Sequence, residues 1–150
     1  MTEPVEELSI IALDAHGQGL AANGTIVVGA LPGERAIVRV AGKRGELIET
    51  LSASLERAQP ICLWYGRCGG CAAQHMSVSL YRRWKRGLVA EALKREGVAT
   101  EVGELVDAHG AGRRRATFHA RFPHRQADEV GFMRARSANS ASSVSPASVA

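Results

Sequence analysis

Three cysteines on a glycine-rich turn are the feature that most constrains how this chain can fold. Cys62, Cys68 and Cys71 follow a C-x5-C-x2-C spacing, and the sequence holds no other cysteine. The glycines between and beside them permit the positive φ angles and close backbone approach that would aim three thiolate sulfurs at one point. The spacing therefore predicts a metal or iron–sulfur site on this turn.

The odd cysteine count argues against a disulfide framework, because small secreted proteins pair their cysteines in even numbers. The first eight residues are acidic and lack the apolar core of a signal peptide. No apolar run in the sequence approaches the roughly 20 residues of a membrane span. We therefore expect a protein of the reducing cytoplasm with no membrane partner. We also expect it to be a monomer.

Charge is distributed unevenly along the 150 residues. Residues 1–61 contain 5 Lys/Arg and 8 Asp/Glu, a net charge of −3. Residues 62–137 contain 14 Lys/Arg and 7 Asp/Glu, a net charge of +7, and the rest of the chain is uncharged. A basic second half favours a polyanionic partner, although a solvated basic face would have the same composition.

The first sixty residues predict short strands separated by glycine turns. Ala36, Val38 and Val40 alternate with charged or solvent-facing positions, as expected for a half-buried strand. Several such strands at nearly regular spacing favour a small closed or half-closed barrel, which leaves no exposed sheet edge. The predicted strand segments are residues 8–13, 24–28, 34–40 and 46–55.

One helix is predicted after the cysteines, with Ser77 as its N-cap and Gly97 just past its end. One apolar stripe recurs at three- and four-residue spacing and comprises Leu80/Tyr81, Trp84, Leu88/Val89 and Ala92/Leu93. We interpret Trp84 as a core anchor rather than a base-stacking residue. Gly87 costs about 1 kcal/mol relative to alanine in a helix and suggests close packing against a neighbour. The basic positions could meet phosphates or be solvated: Arg82, Arg83, Lys85, Arg86, Lys94 and Arg95.

A β-hairpin is predicted from residues 113–122 and 129–136, which alternate in polarity on either side of a polar turn. Its first strand opens with Arg113, Arg114 and Arg115. Guanidinium groups match the geometry of phosphate oxygens, so these three arginines are candidate RNA-binding residues.

Residues 1–59 resemble a TRAM domain, an OB-like RNA-binding barrel. The resemblance rests on L-D-A-H-G-Q-G-L-A at 13–21, on V-V-G-A-L-P-G-E at 27–34, and on Ser54 and Arg57 shortly before a Pro-x-Cys. It implies RNA binding. The alternative is a small barrel with no RNA role, which the negative net charge of residues 1–61 favours. The cations available for such a surface on the barrel are Arg35, Arg39, Lys43 and Arg44.

Together with P-x-C-x5-C-G-G-C-x2-Q-H, R-R-R-A and V-G-F-M-R-A-R-S, residues 6–137 resemble the N-terminal part of the SAM-dependent RNA (uracil-5-)-methyltransferases, particularly the bacterial 23S ribosomal RNA branch. The resemblance implies that Cys62, Cys68 and Cys71 ligate a [4Fe–4S] cluster, whose fourth cysteine lies downstream in the family. The alternative is a stand-alone RNA-binding module in which His75 completes a Cys3His zinc site. A third interpretation is a gene remnant with unmetallated cysteines.

The family's Rossmann-like catalytic domain, which uses SAM, has no counterpart in these motifs. No strand–glycine loop–helix unit for SAM is found, and no cysteine is left over as a nucleophile. We therefore expect ribosomal RNA binding without catalysis, and SAM as a cofactor only of the full-length family.

The expected fold is mainly β with one long helix. It comprises a TRAM-like barrel (1–59), an incomplete central domain with the cysteine motif, helix and hairpin (60–137), and a disordered tail (138–150). The tail is uncharged and rich in Ser and Ala, and the abrupt change in composition suggests a frameshift or truncation.

Overall fold

Short strands bounded by glycines close into a five-stranded barrel. The computed structural model of the protein describes residues 3–106, 117–122, 129–133 and 143–144. The barrel strands are β1 (Val5–Leu13), β2 (Gly19–Ala21), β3 (Ile26–Val27), β4 (Arg35–Ala41) and β5 (Arg44–Ser52). They pair in the order β1-β2-β3-β5-β4, and β4 returns to β1. All pairs are antiparallel except β3 with β5, which agrees with the predicted OB-like barrel.

The barrel core follows the alternation predicted for β4. Ala36 and Val38 are completely buried, whereas Arg35 and Arg39 on the same strand are exposed. Gly45 on β5 faces this core, and a Cβ atom there would lie 2.3 Å from Cγ1 of Val38. A side chain at that position would therefore collide with the interior. The other buried members of this core are Leu8, Ile10, Ala21, Val27 and Ala30.

Strand β2 was not predicted, and β3 is shorter than the predicted segment 24–28. No strand is predicted between residues 8–13 and 24–28, but Gly19 begins β2 and pairs with both Leu13 on β1 and Val27 on β3. A strand of two or three residues is too short to produce a readable alternation. It forms because closing the barrel requires a pairing partner between β1 and β3.

The predicted helix is α1 (Val78–Arg95), and both of its predicted ends are confirmed. The Ser77 hydroxyl accepts a hydrogen bond of 3.1 Å from the Leu80 amide. At the other end Gly97 has a φ of 73°, its amide donates to the Lys94 carbonyl, and the next amide donates to Leu93. These two bonds form a Schellman motif, which satisfies the last carbonyls of the helix.

The helix docks on the barrel through Trp84, as the core-anchor interpretation predicted. The indole Nε1 donates a 3.0 Å hydrogen bond to the Asp14 carbonyl in the β1–β2 loop. Gly17 in that loop has a φ of 76°, and a Cβ atom there would lie 3.1 Å from the Trp84 ring. Leu80 beside it is buried in a small apolar cluster with Leu31 from the β3–β4 loop.

The chain divides into two compact units. Residues Met1–Gln59 and Ala72–Val106 form one compact unit, and Pro60–Cys71 with Asp107–Ala150 form a second. The expected central domain (60–137) includes α1, whereas in the structure Leu80 and Trp84 of α1 pack against Leu31 of the barrel unit. The helix therefore belongs to the barrel unit.

Leu80 is the one buried residue of α1 (Val78–Arg95). Tyr81 and Val89 are exposed although the stripe predicted both to face a core. A Cβ atom on Gly87 would meet no atom within 4 Å in the part of the chain that the structure describes. The close packing suggested for Gly87 is therefore not found there.

The second unit contains the predicted hairpin. Strand β6 (His119–Arg121) pairs antiparallel with β7 (Glu129–Met133), which confirms the hairpin in its described parts. A two-residue strand, β8 (Ser143–Val144), pairs with β7 and departs from the prediction of a wholly disordered tail. The other tail residues lie outside the described ranges. Among the described residues, no helix has the length and apolar character needed to cross a membrane.

Candidate functional site

A buried ion pair joins the barrel to the segment that leads towards the cysteines. The Glu34 side chain is completely buried at the end of the β3–β4 loop. The Arg57 Nε donates to Glu34 Oε1 at 2.6 Å, and an Arg57 terminal nitrogen donates to Oε2 at 2.7 Å. The same nitrogen donates to the Gly29 carbonyl at 2.8 Å. This two-point contact is the strong geometry of an arginine–carboxylate pair.

Backbone amides complete the environment of Glu34. Leu31 donates to Oε2 at 2.8 Å, and Ser54 donates to Oε1 at 3.2 Å. Burial raises the pKa of Glu34, but the hydrogen bonds from Arg57 and the two amides outweigh it and hold the pKa below its ordinary value. The V-V-G-A-L-P-G-E motif and the Ser54 and Arg57 positions are therefore parts of one network.

A second carboxylate, Glu56, fastens this segment to the start of α1. It accepts hydrogen bonds from the hydroxyls of Ser77 and Ser79 and a 2.6 Å hydrogen bond from Arg83. The bond from Ser77, followed by those from Arg83 and Ser79, lowers the pKa of Glu56 to about 2. The N-cap serine thus serves both the helix and the connecting segment.

His75 is a second buried ionisable residue. The sequence offered it only as a possible fourth zinc ligand. Its exposed fraction is 1%. Its carbonyl accepts a 2.8 Å hydrogen bond from the Ala58 amide, which places it beside the Glu34–Arg57 pair. Burial and the nearby Arg57 charge lower its pKa to about 4, against a smaller raising effect of Glu34. The imidazole is therefore neutral at physiological pH.

The cysteines lie on the turn that the spacing predicted, here called the cysteine turn (residues 62–71). Within it, the amides of Tyr65 and Cys68 donate to the carbonyls of Cys62 and Trp64 at 3.0 and 2.8 Å. Gly66 has a φ of 80°, so this position does use the left-handed conformation open to glycine.

One sulfur on the turn already receives a hydrogen bond. The Gly70 amide donates to Cys68 Sγ at 3.3 Å. Cys62 and Cys68 are half-buried, Cys71 is exposed, and none of the three forms a disulfide. An amide directed at sulfur stabilises a thiolate, and thiolate sulfurs are the donors by which proteins hold iron–sulfur clusters.

The cysteines are not gathered into a preformed ligand set. Within the described ranges, no three His, Cys, Asp or Glu side chains come together in a group that could hold a metal ion. This applies equally to the Cys3His arrangement, and His75 lies in the barrel unit with its side chain buried.

The predicted RNA-binding residues differ in whether their charges are already paired within the protein. Arg39 forms an ion pair with Glu46, and Arg35 donates to Glu7 at 2.8 Å, so both charges on the barrel wall are compensated. Lys43, at the β4–β5 turn, is exposed. The three candidates Arg113, Arg114 and Arg115 lie outside the described residues.

Comparison with known proteins relates the chain to RNA methyltransferases, while no protein-family model matches it. The chain is 42% identical over 140 residues to an uncharacterized RNA methyltransferase of Caulobacter vibrioides, a match covering 90% of this chain and 34% of that protein. It is 36% identical over 146 residues to the 23S rRNA (uracil(1939)-C(5))-methyltransferase RlmD of Cronobacter sakazakii, covering 91% and 33%. The RlmD of Chromohalobacter salexigens is 38% identical over 128 residues, covering 81% and 26%. The chain thus spans about a third or less of the length of these relatives.

Proposed function

We propose that this chain, whose homologues are RNA methyltransferases, is an RNA-recognition part of an enzyme that methylates uracil C5 in 23S ribosomal RNA. The observation that carries the proposal is the closed five-stranded barrel with the strand order β1-β2-β3-β5-β4, in a chain with these relatives. Barrels of this type bind oligonucleotides on one strand face and its flanking loops. The 150 residues supply recognition, and we assign methyl transfer from SAM to none of them.

RNA binding by the whole chain tests this function. We expect a fluorescently labelled, uridine-containing stem-loop of 23S ribosomal RNA to bind with an affinity that falls steeply as salt rises, because bound cations release counterions from the phosphates. Fluorescence anisotropy over a range of salt concentrations measures both the affinity and the slope of log K against log salt. An absence of binding at low salt, or an affinity that does not change with salt, would contradict the proposal.

We further propose that Cys62, Cys68 and Cys71 are ligands of a [4Fe–4S] cluster. The support is their spacing on a glycine turn and the Gly70 amide directed at the Cys68 sulfur. When bound, such a cluster would be held by the sulfurs of the three cysteines and would draw these side chains together. Since metal binding and folding are coupled at such sites, the ligand set need not be preformed.

Metal content tests this assignment. Protein purified without oxygen should be brown and contain both iron and inorganic sulfide. Each of Cys62→Ser, Cys68→Ser and Cys71→Ser should lose them, because serine is a poor iron ligand. The matched control is Ser54→Ala, which leaves the turn intact. Colourless protein that holds zinc without sulfide, and loses it on His75→Ala, would replace the cluster with the Cys3His alternative.

A further inference from the structure

The structure divides the cations of α1 into two groups. On one side of the helix Arg83 forms a 2.6 Å ion pair with Glu56. Arg86 lies 3.5 Å from a carboxylate oxygen of Glu101 and donates to the Val102 carbonyl at 2.7 Å. These two guanidinium groups are occupied by partners within the protein and hold neighbouring segments against the helix.

On another side of the helix the positive charge is not compensated. Arg82 is exposed and has no acidic partner in the described part of the chain. The Lys85 ammonium lies 4.7 Å from the centroid of the Trp84 ring and 5.7 Å from that of Tyr81. The aromatic rings orient this ammonium but do not cancel its charge. A spacing of three residues places Arg82 and Lys85 on neighbouring positions of one helix face.

The position of this face is fixed relative to the barrel. Lys85 lies over the ring of Trp84. The Trp84 indole donates a hydrogen bond to the Asp14 carbonyl and packs against Gly17. Both residues belong to the β1–β2 loop, and in OB-like barrels this loop borders the surface that binds oligonucleotides. Lys85 is therefore preorganised next to that border, which reduces the entropy lost when it meets a ligand.

We propose that Arg82 and Lys85 form a phosphate-binding surface that extends the RNA contact of the barrel onto α1. This inference rests on the proposed RNA-binding function and names a surface for it. An RNA backbone fits because it supplies the negative charge that the structure does not place opposite these two cations. On β4 of the barrel, Arg35 and Arg39 are held in ion pairs, so α1 supplies positive charge that these two residues do not.

The salt dependence of RNA binding tests the surface. Each phosphate contact contributes about 0.7–0.9 to the slope of log K against log salt. The double variant Arg82→Gln/Lys85→Gln should therefore lower the magnitude of the slope by about 1.5 and weaken binding at moderate salt. The probe is the same labelled stem-loop, and the whole chain is used throughout.

The control is Lys94→Gln/Arg95→Gln, which removes the same charge about 15 Å further along α1. Lys94 and Arg95 lie in the last turn, where they complement the helix dipole. This control should retain the wild-type slope. An equal decrease in both doubles would show that only net charge matters and would overturn the proposal, as would an unchanged slope in Arg82→Gln/Lys85→Gln.

A pair of single variants and the wild-type protein provide two further tests of the surface. If the first double variant does not fold, the exposed single change Arg82→Glu should still lower the slope by about 1 relative to Arg95→Glu, and equal slopes in these two variants would refute the surface. Wild-type protein that binds no RNA would refute the proposed function itself, before any variant is compared.

Discussion

Replacing Glu34 with alanine should lower the free energy of unfolding by about 3–5 kcal/mol, because it leaves the Arg57 guanidinium partly buried without its carboxylate. The same substitution removes the acceptor of the Leu31 and Ser54 amides. A buried donor without a partner costs a further desolvation penalty. Urea denaturation monitored by circular dichroism measures the change as a shift in midpoint at constant slope.

Glu7→Ala is the matched control, since it removes one carboxylate from an exposed arginine pair on the same barrel. Exposed pairs contribute less than about 1 kcal/mol, so the two glutamates should differ severalfold. Arg57→Ala should cost nearly as much as Glu34→Ala, and the double variant should cost clearly less than the sum of the two. Equal effects of Glu34→Ala and Glu7→Ala would show that the buried pair does not hold the barrel to the following segment.

The parts of the fold that the sequence predicted are those with a local signal. The alternation in β4 identified Ala36 and Val38 as core residues, and Ser77 and Gly97 marked the ends of α1 correctly. Each of these depends on side chains or caps within a few residues of each other. Strand β2 has no such signal, because its three residues are fixed by pairing with strands on either side.

The buried polar groups were not predictable in the same way. Glu34 ends a Leu-Pro-Gly-Glu turn, where a glutamate is ordinarily exposed. It is buried because Arg57, 23 positions later in the chain, closes over it. Arg57 was identified only as part of a family motif, and the motif did not indicate its partner. Such long-range pairs depend on tertiary packing, which a single sequence does not encode locally.

At the cysteine turn, residue spacing predicts the turn but not the convergence of the three sulfurs. The glycines around the cysteines correctly indicated a turn, but of Gly66, Gly69 and Gly70 only Gly66 has a positive φ. Whether three sulfurs converge depends on a bound metal as well as on the chain, because ligation and local folding are coupled. The ligand assignment of Cys62, Cys68 and Cys71 therefore stays a prediction for metal analysis.

Acidification should destabilise the barrel unit through His75 at pH values above those at which Glu34 and Glu56 protonate. The pKa of His75 is lowered from 6.5 to about 4 in the folded protein. Between these values the unfolded chain binds a proton that the folded protein refuses, so stability falls as pH falls from 6.5 to 4. At 1.36 kcal/mol for each pKa unit, the loss is about 3 kcal/mol.

The pH window separates His75 from the carboxylates. Glu34 and Glu56 have lowered pKa values, so the stability they contribute is fully present above their ordinary value of 4.5 and is lost only as pH falls below it. Urea midpoints measured from pH 7 to pH 4.5, at constant metal content, therefore report mainly on the imidazole.

His75→Gln should remove most of the slope of stability against pH in this window, whatever its effect on absolute stability. His16→Gln, which removes an exposed imidazole from the β1–β2 loop, should leave the steep loss in place. An unchanged pH slope in His75→Gln would mean that another group causes the acid sensitivity, and that burial of His75 beside Arg57 does not hold it neutral.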